Sequence, residues 1–227
     1  PGAKNLPDPQ RQMTQRLWKN TLSVMLGVYF FSLLYVVLLD KEFTLGTLVK
    51  SVAGASSIAL ALSLSLSTSG YYFDVFDGKV VYRKYFGLTG YFLALFYSSL
   101  LFLLEPEFYF FGFLQNFWTP DIFLGTLSLS ILTVMAVISN DGATRFLGPL
   151  RWRSLLRLGF LAYFLLVVRA IILEGDLWWM WFEHPDSLPR VRLVLSLIAL
   201  VILFFRASMI FSKKREEKPR VTTPLSA

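Results

Sequence analysis

Residues 85–104 read YFGLTGYFLALFYSSLLFLL and contain no charged side chain. A helical backbone crosses a bilayer core of about 30 Å with roughly 20 apolar residues, which is the length of this stretch. Five further apolar stretches of similar length occur in the chain. The six predicted spans are residues 17–39, 45–68, 85–104, 121–139, 153–173 and 191–211. The sequence therefore predicts an all-α integral membrane protein, a six-helix bundle.

The composition agrees with a membrane protein and excludes other classes. Of the 227 residues, 55% are hydrophobic, 22 are Phe and only 16% are charged, and the mean hydropathy is +0.56. A soluble domain is far less apolar. With no Cys and a single His, the chain cannot form disulfides, thiolate metal sites or any site that needs two of its own imidazoles. The net charge of +7 requires no nucleic acid partner, because membrane proteins hold Lys and Arg at their cytoplasmic ends.

The distribution of basic residues predicts the orientation. With the N-terminus in the cytoplasm, 17 of the 22 Lys and Arg residues belong to the inner side. The positive-inside rule then places both termini in the cytoplasm and favours a multi-pass protein of the plasma (inner) membrane, with anionic lipid at the cytoplasmic face. We expect a mobile segment at residues 1–16, a transmembrane domain at 17–211 and a basic flexible tail at 212–227. Because the chain begins with Pro rather than Met, we expect a fragment or a processed form.

Residues 61–69, ALSLSLSTS, alternate with period two, which is also typical of a strand in an outer-membrane barrel. The neighbouring spans are continuous apolar runs, so we interpret this stretch as helix. Its serine hydroxyls would then bond the carbonyls four residues earlier and let other helices approach closely. Gly54, Ala55 and Ser57 suit the same packing role.

Two basic side chains inside the predicted spans, one in the second and one in the fifth, are candidates for a special role. Lys50 and Arg169 are each about one turn from the outer surface, so their charged ends can reach the headgroup region. We interpret Arg169 as such an anchor, with a functional cation as the alternative and Glu174 or Asp176 as its candidate partners. Tyr97 lies in the middle of the third span, where a buried hydroxyl needs a partner and usually finds it in helix packing.

Aromatic and acidic residues dominate two outer segments. Residues 105–120 and the run 178–182, WWMWF, suit the headgroup region, and a groove for a lipid or quinone tail is the alternative. His184 lies among several carboxylates in the stretch 174–186. Such a mixture could hold a divalent cation, but the spacing matches no ligand motif. We therefore interpret this stretch as a solvated loop and predict no metal site.

Two segments resemble the ferric-reductase-like transmembrane domain superfamily, which includes the haem membrane subunit of methionine-sulfoxide reductase and the NADPH oxidases. Residues 83–99, RKYFGLTGYFLALFYSS, resemble its third helix. Residues 145–170, RFLGPLRWRSLLRLGFLAYFLLVVRA, are similar to its fourth loop and fifth helix, where the family typically reads R-x-L-G-x-x-W-R-x-L-H-R-L-x-Y-L-A. The resemblance covers about residues 45–211. It implies a six-span scaffold in which two haems b lie between the third and fifth helices, each held by axial imidazoles.

The resemblance places the haem-ligand positions at Tyr97, Leu156 and Arg169, and none of these is His. Leu cannot donate to iron and Arg stays protonated, while Tyr can ligate ferric haem but would be a single ligand here. We therefore expect a divergent member that has lost haem binding and carries no cofactor.

These observations favour a structural, assembly or regulatory membrane subunit that has a membrane or cytosolic protein partner. The alternatives are a transmembrane electron-transfer component that binds haem, flavin or quinone through other ligands, and a small transporter or channel. Neither a phosphate loop nor a dinucleotide fingerprint is present, and we predict no catalytic residue.

Overall fold

The computed structural model describes residues 9–72, 79, 81–139, 141–148, 152, 155–185 and 188–216. The helices are α1 (Pro9–Asp40), α2 (Leu45–Tyr72), α3 (Tyr82–Leu104), α4 (Pro120–Ile138), α5 (Asp141–Leu147), α6 (Leu158–Glu183) and α7 (Val191–Glu216), with a π-helical turn at Glu107–Phe111. The described residues contain no strand, and six of their helices are long and apolar enough to cross a membrane. The prediction of an all-α protein with six spans is confirmed.

The six long helices alternate in direction, so their connections lie at two ends of the bundle. The α1–α2, α3–α4 and α6–α7 connections share one end, which we call the connector end. There the Tyr35 hydroxyl, near the end of α1, donates to the Pro189 carbonyl just before α7 at 2.6 Å. The start of α1 and the end of α7 lie at the opposite, terminal end, where the Asn20 amide donates to the Tyr82 hydroxyl at 3.1 Å.

Helix α2 lies at the centre of the bundle, packed against α1, α3 and α7. Its small side chains let α3 come close. The Ser56 and Ser63 hydroxyls donate to the α3 carbonyls of Gly90 and Arg83, both at 2.8 Å. A Cβ added at Gly90 would lie 3.0 Å from the Leu60 side chain, so a larger residue there would require α2 or Leu60 to shift. Of the residues predicted to serve packing, Gly54 lies against Ser32 of α1 and Ala55 is fully buried.

The period-two stretch 61–69 lies within α2 and is helical. The Ser65 hydroxyl donates to the Leu62 carbonyl at 3.0 Å, and the Ser67 hydroxyl to the Leu64 carbonyl at 2.7 Å. These bonds reach back three residues rather than the predicted four. The hydroxyls thereby satisfy themselves within their own helix, which makes the alternation compatible with a membrane-spanning helix.

Helix α6 extends further than the sequence predicts. It runs to Glu183, whereas the predicted span ends at 173, so the run 178–182 belongs to a helix and not to a loop. The interpretation of 174–186 as a solvated loop is therefore wrong up to Glu183. Within this extension, the Glu174 carboxylate is paired with Arg192 of α7 at 3.0 Å.

Helices α1 and α7 also extend into the terminal segments that the sequence predicts to be mobile. Helix α1 begins at Pro9, inside the segment predicted as 1–16, and α7 continues to Glu216, inside the segment predicted as 212–227. The remaining residues of both segments lie outside the described part of the chain.

A buried apolar cluster, the core cluster, joins α2, α4, α6 and α7. Its members are Leu60, Ala61, Leu64, Leu132, Ala162, Tyr163, Val167, Ala199 and Ile202. Most of them lie in the middle of the bundle or nearer its terminal end. The cavity described below extends from this cluster towards the connector end.

Candidate functional site

A cavity of about 650 Å³ lies between α2, α3, α4, α6 and α7. Its lining runs from Asp40 and the exposed Glu105 at the connector end to Leu132 and Tyr163 of the core cluster. The cavity therefore opens at the connector end and is closed by the core cluster below. Its volume lies within the range of about 300–1,000 Å³ that small-molecule sites in proteins occupy.

Three side chains form a polar cluster in the cavity wall, which we call the Asp121 cluster: Tyr109, Asp121 and Arg169. The Arg169 Nε donates to Asp121 Oδ1 at 2.7 Å, and the Tyr109 hydroxyl donates to Asp121 Oδ2 at 2.7 Å. The side chains of Arg169 and Asp121 are each only 16% exposed. Both carboxylate oxygens are hydrogen-bonded, and the charges of Arg169 and Asp121 offset each other. The cluster is therefore a nearly neutral unit between α4, α6 and the π-helical turn.

The local sequence places each member of the Asp121 cluster. Pro120 begins α4, and Asp121 follows in its first turn, where the helix dipole favours a carboxylate. Gly125, one turn later, leaves room for the Arg169 guanidinium, whose central carbon would lie 3.5 Å from an added Cβ. Burial and the hydrogen bond to Asp121 raise the pKa of Tyr109, so this phenol stays a donor at neutral pH.

The structure brings together two of the three residues at the family's haem-ligand positions. Tyr97 and Arg169 both line the cavity and are close enough to interact electrostatically, whereas Leu156 is not among the lining residues. The candidate partners Glu174 and Asp176 proposed for Arg169 are wrong, because Asp121 of the neighbouring helix pairs with it instead.

The residues at these positions do not fit a haem held by two axial ligands. Arg169 is a protonated cation already bound to Asp121, and Leu156 has no donor atom and lies outside the cavity. Tyr97 alone has an atom that could ligate iron. Haem iron of the family's kind needs two imidazoles facing each other, and one phenol does not replace them.

Sequence analysis did not identify Tyr109 or Asp121 as partners of Arg169. The one available signal was the isolated carboxylate of Asp121 at the start of an apolar span. A lone acidic residue there is costly unless a cation pairs with it.

Two further ion pairs surround the cavity opening. Lys50 Nζ lies 2.8 Å from Asp40 Oδ2, and Arg192 Nη1 lies 3.0 Å from Glu174 Oε1. All four of these side chains line the cavity, as do Asp121 and Arg169. Each pair joins two different helices that also pack against each other, so charge pairs add to helix packing at the connector end.

The His, Asp and Glu side chains do not form a metal-binding cluster in the described residues. Over the described part of the chain, no three His, Asp or Glu side chains converge to hold an ion. His184 follows the end of α6, where its backbone N–H donates to the Met180 carbonyl at 3.0 Å. Asp186, another member of the acidic stretch, lies outside the described residues.

Comparison with protein-family models and with curated proteins finds no match to this chain. The resemblance to the ferric-reductase-like superfamily therefore rests on residues 83–99 and 145–170 alone.

Proposed function

We propose that this multi-pass membrane protein is a haem-free subunit built on a ferric-reductase-like scaffold, with a structural, assembly or regulatory role. The observation that carries the proposal is the state of Arg169. It stands where the resemblance expects a haem ligand, and its guanidinium is held by Asp121, which also accepts the Tyr109 hydroxyl bond. A side chain in this arrangement holds helices together and has no lone pair for iron.

The connector end also supports a framework role. Its three ion pairs join α1 to α2, α4 to α6 and α6 to α7. Such pairs fix the relative positions of helices, and a subunit that positions or regulates a partner needs a defined shape. We propose a membrane or cytosolic protein as that partner.

The terminal end supports contact with anionic lipid. The Arg206 guanidinium lies 4.8 Å from the centre of the Phe160 ring near the beginning of α6. Arg83 and Arg157 occupy the same end of the bundle, at the first turn of α3 and just before α6. Basic residues at headgroup depth each contribute about 1 kcal/mol to binding of anionic lipid. We propose that this end faces the cytoplasm of a plasma (inner) membrane.

One observation favours transport as a second candidate function. The cavity is open at the connector end and closed by the core cluster, as a transporter is in one of its two states. An electron-transfer role has weaker support, because Tyr97 is the only candidate iron ligand among the three family positions.

Haem content tests the proposal most simply. The full chain is expressed in cells supplied with a haem precursor and purified in mild detergent, and its visible absorption spectrum is recorded beside that of a haem-containing membrane protein prepared identically. We expect no Soret band from this chain. A band that corresponds to one or two haems per chain would overturn the proposal and favour electron transfer.

Cross-linking in intact membranes, followed by purification, tests the subunit role. We expect a defined protein partner at constant stoichiometry. If the chain is isolated alone and moves solute into liposomes, and Arg169→Leu abolishes that flux while the protein stays folded, transport replaces the subunit role.

A further inference from the structure

One hydroxyl in the cavity wall lacks a hydrogen-bond partner. Ser128 of α4 is 1% exposed, and its Oγ makes no hydrogen bond within the described residues. Two neighbouring hydroxyls of α4 are satisfied within that helix. The Ser130 hydroxyl donates to the Thr126 carbonyl at 2.8 Å, and Thr133 to the Leu129 carbonyl at 2.8 Å. A buried polar group without a partner is costly, so Ser128 is a candidate for bonding something that enters the cavity.

The position of Ser128 limits what that group can be. It lies eight residues after Pro120, which is about 12 Å along the helix from the connector end. At this depth the cavity wall is mainly apolar, with Leu60, Leu132 and Val167 among its lining residues. The Arg169 guanidinium lies beside Gly125, one turn away, but it is already paired with Asp121, so a formal charge brought to this depth would lack a free counter-ion and its desolvation would oppose binding. An uncharged hydroxyl or carbonyl would meet no such cost.

The charges around the opening are balanced. The cations among the lining residues are Lys50, Arg169, Arg190 and Arg192, and the anions are Asp40, Glu105, Asp121 and Glu174. Three of the four cations are already paired with carboxylates. The opening therefore has no net charge with which to select an anionic or a cationic head group.

From the unpartnered hydroxyl, the apolar depth and the balanced opening, we propose that the cavity binds an uncharged amphiphile of the membrane. Its hydroxyl or carbonyl group hydrogen-bonds Ser128, and its hydrocarbon part lies among the apolar lining residues. A serine hydroxyl both donates and accepts, so it serves either type of group. The ion pairs at the opening stay intact, because the ligand has no charge to compete for them. This binding site is independent of the proposed subunit role and would serve a regulatory subunit or a transporter equally.

The test uses four probes with closely similar hydrocarbon chains and different head groups: monooleoylglycerol, which is uncharged; oleate, at a pH where it is ionised; oleylamine, which is cationic; and octadecene, which has no polar group. Each is titrated onto the purified full-length protein in detergent. Native mass spectrometry then measures the fraction of one-to-one adduct. We expect monooleoylglycerol to bind at the lowest concentration.

Two variants test the location of the site. Ser128→Ala removes the hydroxyl and should weaken monooleoylglycerol binding about three- to tenfold, while octadecene binding changes little. Ala94→Phe places a ring in the cavity wall and should abolish binding of the monooleoylglycerol probe. Ser99→Ala is the matched control, because the Ser99 hydroxyl bonds the Leu95 carbonyl of its own helix at 2.9 Å and does not line the cavity.

Each outcome of these experiments either supports the proposal or overturns it. Preferred binding of oleate or oleylamine would overturn the proposal, as would equal binding of octadecene. So would unchanged monooleoylglycerol affinity in Ser128→Ala, which removes only one buried atom and should leave the protein folded. Loss of binding in Ser99→Ala would show that the adduct forms elsewhere. Weakening in Ser128→Ala together with loss in Ala94→Phe supports it.

Discussion

The contact between α2 and α3 and the contact between α4 and α6 join helices by different means. In the first, Gly90 lies against Leu60 and the Ser56 hydroxyl reaches the backbone of the neighbouring helix. In the second, Asp121 and Arg169 form a largely buried ion pair at the edge of a cavity. Small residues bring one pair of helices close together, and a charge pair joins the other beside the cavity.

A buried charge pair is costly on its own. This one lies in the wall of the cavity, beside space that a ligand could fill. Lipid tails provide no hydrophobic force between helices, so both contacts depend on packing and hydrogen bonds. The two should therefore respond differently to substitution.

The largest expected effect is the loss of Arg169. Arg169→Met leaves the Asp121 carboxylate buried with only Tyr109 as a partner, and we expect it to lower the free energy of unfolding by about 3 kcal/mol. Unfolding in mixed detergent micelles, followed by tryptophan fluorescence, measures it. Lys50→Met is the matched control, because Lys50 is 59% exposed and its pair with Asp40 should contribute below about 1 kcal/mol. Equal effects of the two substitutions would remove the distinction between buried and exposed pairs.

The next largest effect tests the close-packed contact. Gly90→Ala adds a Cβ that would lie 3.1 Å from the Leu60 backbone nitrogen, which cannot move aside as a flexible side chain can. We expect a loss of about 2 kcal/mol in the same unfolding experiment. Gly27→Ala is the control, because its Cβ would meet nothing within 4 Å. We expect Gly27→Ala to be neutral or stabilising by less than about 1 kcal/mol. If Gly90→Ala is equally harmless, α2 and α3 are not closely packed.

A smaller effect tests the hydrogen bond between Tyr109 and Asp121. Tyr109→Phe removes the hydroxyl that donates to Asp121 at 2.7 Å and should cost about 1.5 kcal/mol in the unfolding experiment, because the acceptor is charged. In the Arg169→Met background the cost should change, since both side chains bind the same carboxylate. Strict additivity of the two substitutions would show that they act independently.

The raised pKa of Tyr109 also predicts that the stability of the protein changes with pH in the alkaline range. The pKa of Tyr109 is raised in the folded protein, so the folded state keeps this proton while the unfolded chain releases it near pH 10. The contribution of Tyr109 is therefore complete below about pH 10 and is lost as the pH rises further. Tyr109→Phe should reduce the fall in stability above that pH, measured in parallel with the wild-type chain. An unchanged slope would contradict this assignment.

The smallest effect concerns the hydroxyl contact between α2 and α3. Ser56→Ala removes a bond to the Gly90 carbonyl, and hydrogen bonds between membrane helices contribute about 0.6 kcal/mol on average. We expect a loss of that size in the unfolding assay. Ser99→Ala, which removes only a bond within α3, should have no measurable effect. A loss above about 2 kcal/mol from Ser56→Ala would mean that hydroxyls rather than small size dominate this contact.

Much of the fold could be predicted from the sequence, because six apolar stretches of bilayer length have few other structures available to them. The end of α6 could not be predicted. Glu174 resembles the end of a span by composition, and its pairing with Arg192 depends on the packing of α6 against α7, which the sequence does not reveal.

The candidate site was predictable only in part. Arg169 and Tyr97 could be selected because polar side chains within spans are rare. Their surroundings depend on how the helices pack: Asp121 is 48 residues from Arg169, and hydropathy carries no information on which helices are neighbours. Tyr109 was indistinguishable from the other aromatic residues of its connection.

A double-substitution cycle of Asp121→Leu and Arg169→Met measures the central claim, that Arg169 is held by Asp121 between α4 and α6. Each single variant, the double variant and the wild-type chain are unfolded under identical conditions. We expect the double variant to be more stable than the sum of the single losses predicts, with a coupling energy of at least about 1.5 kcal/mol. Additivity within about 0.5 kcal/mol would show that the two side chains do not stabilise each other and would contradict the account.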